Sequence, residues 1–157
     1  MRNKTIKDVL LQPLTLPITV ISMFLVTKYW FAVPVDGPDK LFWGFPFAFI
    51  GEGFHTSMSF QIFLLELLAD FIIYYLSLSI LSYGISRFFR IPPAHKLLSR
   101  VIWSIALILL FGFGLLIGTS NPLFSVKRDY DWHILQTGAV VLWKTTPRPE
   151  REDFLHE

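Results

Sequence analysis

No cysteine occurs in this sequence, which excludes disulfides, thiolate metal centres and a cysteine nucleophile. Charge is scarce too: 17% of residues are charged, and 14 basic against 12 acidic side chains leave a formal net charge of +2. No basic stripe interleaved with exposed aromatics runs through the chain, so a nucleic-acid partner is not expected. No nucleophile elbow is present, and no internal repeat. What the chain has instead is apolar surface, with 53% hydrophobic and 17% aromatic residues. A soluble domain of this size needs more polar residues to cover its core, so the composition places the chain among membrane proteins.

Three apolar runs are long enough to matter. The first covers residues 14–31, LTLPITVISMFLVTKYWF; as a helix it rises about 27 Å, near the thickness of a hydrocarbon core. Arg2, Lys4 and Lys7 before it resemble the basic start of a signal peptide. However, the bulky KYWFAV that follows offers no small-residue cleavage site. The second run spans about 60–85 and the third about 101–118, separated by RIPPAHKLLSR. Pro92 and Pro93 stop one helix and permit the start of the next. So short a connection makes these helices antiparallel neighbours. The expected fold is therefore all-α: a bundle of three transmembrane helices over 1–118, followed by a short external tail, 119–157.

Lysine and arginine near the span ends predict the orientation. The connection between spans two and three carries Arg87, Arg90, Lys96 and Arg100 without an acid, whereas the first loop carries Lys40 against Asp36, Asp39 and Glu52. The N-terminal arm and second loop are thus expected in the cytoplasm, with the first loop and tail outside, as in a bacterial inner (plasma) membrane. The four basic residues of the second loop would also meet anionic lipid headgroups. The first loop is unusually aromatic: Phe42, Trp43, Phe45, Phe47 and Phe49 predict a segment at the bilayer interface or packed on protein. A re-entrant hairpin is the other form open to it, provided its backbone is buried in protein or lines a water cavity. In the tail, the apolar run around Gly138 is compatible with a short hairpin, and the closing TTPRPEREDFLHE reads as disordered.

The sharpest chemical feature lies inside span two, SFQIFLLELLADFIIYYLS, where Glu66 and Asp70 stand one helical turn apart. A carboxylate at a helix centre costs about 2.5–3.5 kcal/mol on insertion scales. Glu66, Asp70, Tyr74 and Ser77 share one face, which should turn toward protein or a cavity rather than lipid. Lys28, near the end of span one, is the expected counter-ion. The same acids could instead form a proton or cation path. Glu52 and His55 stand at its outer mouth, but Gly51 and Gly53 favour a loop there, and no second Glu-x-x-His completes a di-iron set. No metal or cofactor is therefore expected. In span three, Gly112 and the pair Gly114/Gly118 form a small-residue stripe suited to close helix contact.

Three helices without an inverted repeat are few for a self-contained transporter. The leading expectation is a non-enzymatic membrane subunit that associates with other subunits or with itself. An oligomeric proton or cation conductor is the alternative, and a membrane-embedded enzyme or metal protein the third class.

Overall fold

The computed structural model describes residues 14–34, 40–53, 59–88 and 96–141. The first apolar run does not remain helical. Helix α1 (Thr15–Leu25) carries its proline in the first turn, where no backbone bond is lost, and stops at Leu25. Strand β1 (Val26–Pro34) follows at once. Its sequence, VTKYWFAVP, is β-branched and aromatic, the composition of a pleated and half-buried surface.

Three short strands complete a meander with β1: β2 (Lys40–Trp43), β3 (Ile50–Glu52) and β4 (Phe60–Phe63). Each neighbouring pair is antiparallel. The chain then leaves the sheet through α2 (Leu64–Phe88) and returns through α3 (Lys96–Thr119). Asn121, at φ 35°, takes the left-handed conformation of a helix stop. Strand β5 (Leu123–Ser125) then pairs in parallel with β4, and β6 (Trp132–Val141) pairs antiparallel with β1 from Val26↔Val141 to Pro34↔Trp132. The result is one six-stranded mixed sheet in the order β5-β4-β3-β2-β1-β6. Successive antiparallel pairings put the start of β1 and the end of β4 at the same end of the sheet. The three described helices therefore gather there, and α1 packs against both long helices, with Phe24 edge-on to Phe113 at 5.3 Å.

The sheet core is Ala32, Phe42, Ala48 and Phe63, with Trp30, Tyr130 and Trp132 packed against it. Two glycines make room for rings across the ladder. Phe42 lies over its partner Gly51, and Tyr29 over its partner Gly138, where a Cβ would strike the ring.

This architecture corrects the expectation of an all-α, polytopic bundle of three spans. Among the described residues two helices, not three, are long and apolar enough to cross a membrane: Leu64–Ile85 and Lys96–Thr119. The failed span is 14–31, because its last third gains a full-length strand partner in β6 that the local sequence does not reveal. Residues 60–63, read as the start of span two, are strand as well. The expected external tail is not a separate appendage, since β5 and β6 are the two outer strands of the sheet, and the segment around Gly138 is one long strand rather than a hairpin. Its final residues, 142–157, lie outside the described residues.

Candidate functional site

The polar face of α2 meets the sheet end of the molecule. Asp70 is 0% exposed, and its Oδ1 accepts the Phe47 N–H at 2.9 Å. The Phe45 N–H bears on the same carboxylate. One turn earlier, Glu66 Oε1 accepts the Arg128 N–H at 3.3 Å. One turn later, the Tyr74 hydroxyl donates to the Val26 carbonyl, and the Phe45 ring stands edge-on to Tyr74 at 6.4 Å. Three successive turns of one helix thus hold three separate segments: the stretch after β5, the loop between β2 and β3, and the junction of α1 with β1. Helical periodicity puts these side chains in a row, and each finds a backbone group that strand pairing leaves over.

The loop between β2 and β3, residues 44–49, is built to fit. Gly44 has φ +147°, and a Cβ there would run into the Phe47 carbonyl oxygen and lie 2.7 Å from the Phe49 nitrogen. Its N–H donates to the Lys28 carbonyl at 2.9 Å, while its carbonyl accepts the Trp30 indole N–H at 2.9 Å. Phe49 donates to the Trp43 carbonyl at 3.0 Å and accepts from the Phe63 N–H at 2.9 Å. The Phe45–Pro46 peptide is cis. Ala48 is buried under this loop, but Phe45 and Phe47 are 49% and 48% exposed.

Lys28 does not sit on either carboxylate. Its ammonium lies 3.8 Å from the centroid of the Trp30 ring, in β1. Arg128 takes the matching position over Trp132 at 3.9 Å, and the two tryptophans stack with centroids 6.2 Å apart. The Tyr130 hydroxyl donates to Gln61 Oε1 at 3.4 Å. Burial pushes the Tyr130 phenol well above its ordinary value; the Arg128 charge opposes that rise, while Asp129 and Glu66 add to it.

The expected site residues are therefore only partly brought together. Glu66, Asp70 and Tyr74 form one row, whereas Ser77 is exposed further along α2. Glu52 lies in β3, paired with Phe60, and His55 falls outside the described residues. Among the described residues Gly112, Gly114 and Gly118 have nothing within 4 Å of a would-be Cβ. Arg87, Lys96 and Arg100 lie at the hairpin tip, and Arg90 is outside the described residues. Residues that sequence reasoning left out are Phe47 and Arg128 as backbone donors and Trp30 and Trp132 as cation platforms; the spacing of tryptophan from lysine in KYW was the available signal.

Chemically, the row is a set of acceptors. One oxygen of each acid is committed to an N–H, and the others, Glu66 Oε2 and Asp70 Oδ2, are buried without a hydrogen-bond partner. Among the described residues no three His, Asp or Glu side chains gather to hold a metal ion. No protein-family model, curated protein or solved structure matches the chain.

Proposed function

We propose that this protein is a non-enzymatic, membrane-anchored subunit: a helical hairpin in the bilayer carrying a small sheet at its surface. The observation that carries this reading is the uncovered apolar surface of the hairpin. Only 11% of the apolar window of α2 and 6% of that of α3 is buried within the protein. A core helix of a soluble protein would be mostly covered, and uncovered apolar stretches of this length have lipid or partner helices as their natural surroundings. Ile80, Ile108 and Phe111 exemplify the exposed surface.

Arg87, Lys96 and Arg100 at the hairpin tip support a cytoplasmic tip in an inner or plasma membrane, touching anionic headgroups, with the sheet on the opposite side. The outward Gly114/Gly118 pair, one helical turn apart, supports docking of another helix, from a second copy or a different subunit. The alternative, an oligomeric cation or proton conductor, draws on the free oxygens of Glu66 and Asp70. It is the weaker reading because each acid already holds a backbone group.

The first test is extraction of native membranes with alkaline carbonate. The chain should stay in the pellet and enter solution only with detergent. Release by carbonate alone would remove the anchor reading.

A further inference from the structure

The aromatic loop at residues 44–49 stands beside α2 rather than beyond its end, and this sets its depth. That depth rests on the anchor reading above. A hydrocarbon core takes about twenty helical residues. Counting back about that many from Arg87, the last described charge on α2, reaches Leu67. Counting forward from Arg100 on α3 reaches Ser120, just past the end of that helix. The two helices give the same boundary: the core begins near the junction with the sheet. Asp70 then lies about 4.5 Å inside it and Tyr74 about 10 Å inside, at 1.5 Å per residue. The loop is fastened at both levels, by the Phe47 N–H on Asp70 and by the Phe45 ring on Tyr74.

A non-helical backbone survives at that depth only if protein satisfies its polar groups. Much of this loop has such partners. The N–H groups of Gly44 and Phe49 are bound to main-chain carbonyls, that of Phe47 to Asp70, and Pro46 has none. The Phe45 N–H faces the same carboxylate. With these groups turned inward, the loop presents Phe45 and Phe47 outward, each about half exposed. Aromatic rings at 5–10 Å below the surface are a recurrent form of interfacial insertion.

We propose that the loop at residues 44–49 is inserted in the outer part of the bilayer, with Phe45 and Phe47 among the acyl chains and Asp70 as the internal acceptor that makes the insertion possible. It is a lipid contact of the sheet itself, separate from the hairpin.

The absence of cysteine allows a direct test. Single-cysteine variants Phe47→Cys, Ile108→Cys and His133→Cys of the full chain are labelled with an environment-sensitive nitrobenzoxadiazole probe. They are then reconstituted in phosphatidylcholine–phosphatidylglycerol vesicles. Ile108 is 69% exposed near the middle of α3, and His133 pairs with Val33 at the sheet end away from the helices. The probe at 47 should be quenched best by lipid carrying a shallow nitroxide and several-fold less by aqueous iodide than the probe at 133. The probe at 108 should respond best to a deep nitroxide. Position 47 behaving like 133, while 108 reads lipid, would overturn the inserted loop and leave the anchor standing. Position 108 reading water would overturn the anchor and the loop together. Adding Asp70→Leu to the Phe47→Cys chain should raise iodide quenching at 47 several-fold, while in the Ile108→Cys chain it leaves 108 unchanged. No change at 47 would overturn the role given to Asp70.

Discussion

Asp70 has no exposed surface and a hydrogen bond to a main-chain N–H donated from 23 residues earlier in the chain. A hydrogen bond to a charged group contributes about 1.5–3 kcal/mol, and an orphaned buried donor costs about 1–3 kcal/mol. Asp70→Leu should therefore lower stability in detergent by about 1–3 kcal/mol, read from the shift of a denaturant midpoint. Asp70→Asn keeps an acceptor oxygen and should lose clearly less. Equal losses would show that charge, not the bond to Phe47, is what matters. The importance of the two acids was legible in the sequence, because carboxylates among leucines and isoleucines demand a partner. The partner was not. Nearly every residue carries a backbone N–H, so no composition or spacing marks the ones at Phe47 and Arg128 as those that an acid will hold. Lys28 was the visible candidate, yet Trp30, two residues on and on the same strand face, takes its ammonium.

At the scale of elements, the two long helices were legible and the sheet was not. Helices α2 and α3 are uninterrupted apolar segments whose character is local, ending at the RIPPAH stretch. The strands are three to ten residues long, aromatic and apolar on both faces, and such runs do not reveal whether they continue a helix or join a sheet. Residues 26–31 became strand because β6 pairs with them, a tertiary effect that overrides local propensity. The Gly114/Gly118 pair of α3 was legible as a pattern while its contact was not, since none of the described residues meets it. Gly114→Ala should leave an isolated chain as stable as before, or more so by about 0.5–1 kcal/mol. Gly114→Ile should dissolve any assembly built on the pair, measured as a fall in particle mass in mild detergent. An unchanged assembly would assign the docking role elsewhere.

For the molecule as a whole, the helical hairpin is the crossover between two neighbouring parallel strands, β4 and β5. The bonds from Leu65 N–H to the Val126 carbonyl and from Arg128 N–H to Glu66 pin the outgoing and returning ends to each other. Sheet and hairpin are therefore joined at two strands and along three turns of α2, and a tilt of the hairpin must pull on the sheet. Composition could place the chain near lipid, but not foresee that its opposite ends would meet in one ladder. That requires knowing which strands pair, and the pairing of β1 with β6 is among the most distant in the chain.

The strand order carries a consequence for biosynthesis. Strands β1 to β4 emerge first and lie side by side in the order of synthesis, while both flanking strands, β5 and β6, come after the hairpin. Until the hairpin has crossed and returned, the nascent meander has a bare edge at β1 and another at β4, each a template for pairing with the wrong chain. A ribosome stalled before α2 would therefore release a sticky fragment. A chain cut after Phe63 should aggregate when expressed alone, as seen by sedimentation, whereas the full chain should not. Covering of β1 and β4 after hairpin insertion would make a finished sheet the sign that the anchor is in place.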